Sequence, residues 1–225
     1  MVTQPKLTYY ELRGRAEAIR LLLIDQGVDF VDERLNAEAW RTLKPTVPFR
    51  QLPVFEDQYG QHGQAAAILR HLARTQVIET STEPLWWTKA DQVHEALAEA
   101  QESLWRFAWE EAYQTDRARY TKRELRHYLK GLASLKGDGP FFTGTEVSHV
   151  DYLAAVYLDE VTAFFGDLGS LGEFHQAMYA RPLISEYVNS GRRPIVFGMG
   201  LDGPKYAPES SEVERAEWPN PWADS

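Results

Sequence analysis

With 225 residues, 44% of them hydrophobic and 25% charged, the chain is long enough for one large domain or two small ones around a sizeable core. Its net charge of −9, with acidic and basic residues interspersed, excludes a clustered basic face for nucleic acid as its main business, and no run approaches the roughly 18 apolar residues of a membrane span. It contains no cysteine, which excludes disulfides, zinc thiolates and a cysteine nucleophile; with no apolar signal core in MVTQPKLTYY, a cytoplasmic protein is expected.

KLTYY (6–10) predicts a strand, and RAEAIRLLLIDQG (15–27) a helix with Ala16, Ile19 and Leu23 on one face and Gly27 as its stop. FVDERL (30–35) predicts a second strand, so strand–helix–strand implies a parallel pair. PVFED and the residues after it, turned by YGQ, read as a hairpin, although Pro53 at its head lacks the N–H of a paired strand. QAAAILRHLAR (64–74) predicts a further helix. After the polar TSTEP (80–84) only helices follow. Trp86, Ala90, Val93, Leu97, Ala100, Leu104 and Phe107 are spaced 4, 3, 4, 3, 4, 3, the stripe of a long helix. Leu125, Leu129, Leu132 and Leu135 mark a second, and SHVD (148–151) has the spacing of a capping box before DYLAAVYLDEV. Residues 191–225, with five prolines and four glycines, predict irregular structure. The expected organisation is an α/β domain over 1–80 and an all-helical domain over 85–225 with an irregular tail from about 191.

Arg13 and Arg15 fall in or beside a helix's first turn, where cations oppose the helix dipole. Either nearby acids pair with them or an anion sits at this helix start. Tyr9 and Tyr10 point to opposite faces of their strand, at the carboxyl end where open α/β sheets bind ligands. The helix start at Gln64 is a second candidate anion site. The six histidines carry no metal-ligand spacing, so no metal site is expected.

YYELRGRAEAIRLLL, Trp40, Lys44, QLPVFED, GQAAAILRHLAR and FTGTEVSHVDYLAA together resemble the cytosolic glutathione transferases of the tyrosine type, pi most closely and sigma next, over about residues 6–190. The resemblance implies an α/β thioredoxin-like domain followed by an all-α domain, and glutathione as co-substrate with no metal. Tyr9 matches the tyrosine that hydrogen-bonds the glutathione sulfur, and Arg15 a basic position supporting that anion; these are the implied catalytic residues. Trp40, Lys44 and Gln51 match residues around the glycyl carboxylate, the Leu52 backbone before a cis Pro53 pairs with the cysteinyl unit, and Gln64 contacts the γ-glutamyl end. At the next position the family has Ser or Thr where this chain has Ala65, which implies weaker glutathione binding. Glu99 matches the acid that reaches the ligand's amino group across a homodimer interface. Trp105, Trp109 and Tyr113, spaced by four, form an aromatic strip for which core packing is the alternative. Trp109 and Tyr10 match positions that line the electrophile pocket in relatives, and the strip with Tyr206 of the tail is expected around the electrophile. Phe49 matches an aromatic key inserted into the partner subunit. The implied activity is conjugation of glutathione to apolar electrophiles; a glutathione-dependent isomerase or a non-catalytic binding relative are the alternatives.

Overall fold

The computed structural model describes residues 4–75, 77–78, 81–109, 120–166 and 168–197. The first strand, β1 (Lys6–Tyr10), pairs in parallel with β2 (Val31–Leu35), with Tyr9 opposite Arg34. The helix between them is α1 (Glu17–Asp25), preceded by a 3-10 turn over Gly14–Ala16. The sequence predicts helix from Arg15. The turn is tighter because Gly14 has φ +40 and the N–H groups of Arg13 and Gly14 donate to the carbonyls of Val196 and Phe197, at 2.9 and 2.7 Å. A helix not expected from periodicity, α2 (Ala37–Leu43), is capped by Asn36, whose Oδ1 accepts from the N–H of Ala39 at 2.8 Å.

The strand β3 (Val54–Asp57) runs antiparallel to β1 and turns into β4 (Gly60–Gly63), completing a four-stranded sheet ordered β2–β1–β3–β4. The Leu52–Pro53 bond at its head is cis. Proline costs no ladder bond there, because the pairing recorded with β1 begins at Val54. The helix α3 (Ala65–Arg74) follows and buries Ile68, Leu69, Leu72 and Ala73.

From Pro84 on, the regular elements among the described residues are helices, as expected. The 26-residue α4 (Pro84–Trp109) buries Ala90, Val93, Leu97, Ala100 and Leu104 along its predicted stripe. A π-helical turn (Thr121–Leu125) leads into α5 (Arg126–Lys136). The central helix, α6 (His149–Phe165), starts at the predicted capping box: the Asp151 carboxylate accepts from the Ser148 N–H and hydroxyl, both at 2.7 Å. Two helices with no periodic signal complete this part, α7 (Gly172–Tyr179) and α8 (Pro182–Asn189), the latter begun by Pro182 at the position where a missing N–H costs nothing. One continuous set of buried side chains runs from the sheet through α1, α3 and α4 to α6. Polar bonds cross the same junction: the Tyr152 hydroxyl and Arg181 Nε both donate to Asp25 at 2.6 Å.

Candidate functional site

The alternation of β1 directs Tyr9 inward, where it is 5% exposed, and leaves Tyr10 half-buried. The Tyr9 hydroxyl accepts a hydrogen bond from the Arg15 N–H at 3.2 Å, and its own proton has no acceptor among the described residues. The turn can close on the phenol only because residue 14 is glycine. A Cβ there would lie 2.6 Å from the Tyr9 oxygen and 2.7 Å from the Leu12 side chain, at a φ of +40 that other residues rarely adopt. Nothing in the amino-acid pattern singled out Gly14, although a glycine between two arginines at a strand-to-helix turn was the available signal. Burial pushes the Tyr9 pKa up, against the opposing pull of the Arg15 N–H and of the Arg15 and Arg20 charges. The phenol is therefore protonated at neutral pH and suited to donate a hydrogen bond.

The two arginines of the turn take different roles. Arg13 is buried, with Nε donating to the carbonyl of Pro194 at 2.8 Å, a guanidinium nitrogen 3.2 Å from Asp159 and the Phe197 ring 4.0 Å away. It ties the strand turn to the end of the helical part. Arg15 is half-exposed, paired with Glu102 of α4 at 3.1 Å, and its guanidinium lies 4.8 Å from the Trp105 ring centroid. Of the two cations expected at this helix start, only Arg15 keeps an exposed guanidinium, while Arg13 is buried. Trp105 is a packed residue whose indole N–H donates to buried Glu160 at 3.1 Å. Glu102, Gln101 and Glu160 were not singled out from the sequence, because their partners lie 55 or more positions away.

Beyond Tyr9 the aromatic contacts continue. Tyr10 meets Trp40 edge-on at 6.2 Å, and Lys44, exposed, lies 5.9 Å from the Trp40 ring centroid. Gln64 Nε2 donates to Gln51 Oε1 at 2.8 Å, which joins the loop before β3 to the start of α3. Gln64 holds φ +67 and puts no side-chain cap on α3, so the first N–H groups of that helix receive no side-chain acceptor from it. Ala65 lies with Gly14, Arg15, Leu69, Gln101 and Val156 around a cavity of about 50 Å³ between the turn, α3, α4 and α6. Leu52 makes no backbone hydrogen bond among the described residues, and Pro53 is buried. Glu99 is exposed on α4 and acts electrostatically on Tyr128 of α5; no hydrogen bond or ion pair among the described residues joins it to the Tyr9 group. Phe49 is 75% exposed in a turn where both it and Arg50 have φ above +50. Trp109 is the last residue of α4, while Tyr113 and Tyr206 lie outside the described residues.

Two family models match, one described as "Glutathione S-transferase, N-terminal domain" over residues 5–74 and one as "Glutathione S-transferase, C-terminal domain" over 98–191. The chain is 34% identical over 203 residues to "Glutathione S-transferase" of Dirofilaria immitis, covering 84% of this chain and 96% of that one. It is 32% identical over 206 residues to "Glutathione S-transferase P" of Caenorhabditis elegans, covering 87% of this chain and 98% of the relative. Its fold is similar to the solved pi-class glutathione S-transferase of Onchocerca volvulus, with a TM-score of 0.76 at 29% identity, covering 89% of this chain and all of that one.

Proposed function

The chain belongs to the glutathione S-transferase family, and on that premise we propose that it joins the thiolate of glutathione to apolar electrophiles, with Tyr9 as the residue that makes the thiolate available. The observation that carries this reading is the buried, protonated Tyr9 hydroxyl with its proton unspent, beside Arg15 at the carboxyl end of a parallel strand. A free thiol has a pKa of about 8.5, and only its thiolate is a good nucleophile. A hydrogen bond to a charged acceptor contributes about 1.5–3 kcal/mol, roughly one to two pKa units. That raises the ionised share of the thiol at neutral pH from a few per cent to roughly a quarter at the lower figure and a majority at the upper one. Tyr9 donates that bond and keeps its proton. The thiolate then attacks the electrophilic carbon, forming the carbon–sulfur bond as a leaving group such as halide departs with its electron pair. The Arg15 charge favours the thiolate anion.

The remaining roles follow the family pattern. Trp40, Lys44 and Gln51 take the glycyl carboxylate, the Leu52 backbone pairs with the cysteinyl unit, and Gln64 with the Ala65 N–H takes the γ-glutamyl end. Tyr10, Trp109, Tyr113 and Tyr206 surround the electrophile, and Trp105 supports Arg15 from behind. We read residues 1–80 as the glutathione-binding domain and 85–225 as the helical domain. A cytoplasmic homodimer acting in detoxification, with Glu99 serving the partner's ligand, completes the proposal. No helix among the described residues is long and apolar enough to cross a membrane. A glutathione-dependent isomerase or a non-catalytic binding protein is less favoured, because the relatives cited above are named as transferases and Tyr9, Arg15 and the Gln51–Gln64 pair are in place.

Calorimetric titration with glutathione, followed by turnover of a general aromatic halide, tests the reading. Tyr9→Phe is expected to leave glutathione affinity largely intact and lower conjugation by about one to two orders of magnitude, since only the bond to the charged sulfur is lost. Near-wild-type turnover of that variant at neutral pH would overturn the assignment and direct attention to Tyr10.

A further inference from the structure

His62 and His71 are nine residues apart in sequence, and neither spacing nor composition pairs them with Asp57. The fold does. The register of the β3–β4 hairpin sets Phe55 opposite His62, and Asp57, two residues on from Phe55, shares their face of the sheet. That face is covered by α3, where His71 lies with its ring centroid 6.4 Å from that of Phe55. One carboxylate thus receives both imidazoles: His62 Nε2 is 3.2 Å from Asp57 Oδ1 and His71 Nε2 is 2.7 Å from Oδ2. The two rings lie 4.1 Å apart at 31°, and the donor atoms of all three residues fall within 4.8 Å of one another.

We infer that Asp57, His62 and His71 form a binding site for a zinc-like divalent cation that clips the β3–β4 hairpin to α3. Two imidazole nitrogens and one carboxylate oxygen are a donor set for zinc. Bonds of about 2.0–2.2 Å in tetrahedral array put donor atoms roughly 3.5 Å apart, a spacing these side chains reach by small rotations. Imidazole nitrogen favours zinc over magnesium or calcium, which take oxygen ligands. The three side chains are each only partly exposed, between 11 and 24%, so one side stays open for cation entry and for a water as fourth ligand. The carboxylate is already oriented from behind, since the Tyr59 N–H donates to Asp57 Oδ1 at 2.9 Å. Neutral imidazole is the form that binds metal. Binding would turn each ring nitrogen now facing Asp57 into a lone-pair donor, with the ring proton on Nδ1.

Zinc chloride titrated into the full chain by calorimetry, without glutathione, whose thiol would compete, tests this. One zinc per chain is expected, with a higher melting temperature in zinc than in magnesium. His62→Gln and His71→Gln should each weaken zinc binding by about tenfold or more while keeping the helical circular dichroism of the parent. Should His71→Gln fail to fold, His62→Gln on the exposed hairpin decides alone. The absence of saturable zinc binding, or zinc affinity unchanged in His62→Gln, would overturn the site and leave the three residues as a hydrogen-bonded strut.

Discussion

At Ala65 a single missing hydroxyl sets the expected strength of glutathione binding. The position is the first residue of α3, next to Gln64, whose side chain caps nothing and instead bonds Gln51. A serine there would add a hydroxyl to the N–H already offered to a carboxylate. Ala65→Ser should therefore tighten glutathione by about 1 kcal/mol or more, through a regained charge-assisted bond, measured by calorimetric titration. Unchanged or weaker affinity would show that the γ-glutamyl end is held elsewhere. Tyr9 and Arg15 were legible as candidates because they sit at a strand end and a helix start. Gly14 was not, since its role depends on where the Tyr9 oxygen comes to rest, 2.6 Å from an absent Cβ.

At the scale of elements, α6 joins the two parts and carries the most costly buried groups. Its capping box was legible in SHVD, because a cap is a local pattern. Burial raises the Asp151 pKa to about 6 despite the N–H groups of Phe142 and Ser148. Glu160 was not legible as special. It is fully enclosed, burial raises its pKa from 4.5 to about 8, and one of its oxygens has no partner, while Gln101 and Trp105 hold the other. A carboxyl with a raised folded pKa stabilises the fold fully below its unfolded value and loses that contribution as pH rises through the folded value. Between pH 4.5 and 8 this group should thus cost on the order of a few kcal/mol of stability. Glu160→Gln, which mimics the protonated acid, should be more stable than the parent at pH 8 in urea unfolding, with the advantage shrinking towards pH 5. An equal difference at both pH values would contradict the buried neutral carboxyl.

At the scale of the whole molecule, the exposed Phe49 is left largely uncovered by the described residues. The residue is 75% exposed on a turn with φ +55, a conformation that costs a non-glycine residue on the order of 1 kcal/mol. Phe49→Asp is expected to shift a dimer towards monomer in sedimentation and to weaken glutathione, because Glu99 is proposed to act across that interface. A parent protein that sediments as a monomer at micromolar concentration would refute the dimer. The tail offers a second test. Its described beginning returns to the Tyr9 turn: the Arg192 carbonyl accepts from the Arg34 guanidinium at 2.6 Å, Arg193 Nε donates to Glu17 at 2.7 Å, and the carbonyls of Val196 and Phe197 accept from the N–H groups of Arg13 and Gly14. The continuation, with Tyr206, Trp218 and Trp222, lies outside the described residues. Burying one aromatic ring gives about 4–6 kcal/mol as a gross upper figure, enough to help dock such a segment. Deleting residues 203–225 should then change electrophile selectivity more than glutathione affinity. Unchanged selectivity, with tail amides exchanging as fast as a free peptide, would end the docking idea.

Taken by itself, the sequence determined the order of β1, α1, β2, the β3–β4 hairpin and α3, the later run of helices and the buried stripe of α4. Each is written in short-range periodicity, and a strand or an amphipathic helix needs only its own neighbours to declare itself. It left α2, α7 and α8 unread, because short helices with weak stripes owe their stability to what they pack against. Only the tertiary structure decided which charges meet. Arg13 was assigned to Asp159, Arg15 to Glu102 and the two histidines to Asp57 by chain crossings and strand register. A side chain's partner across a fold is a matter of distance in space, which no local pattern encodes.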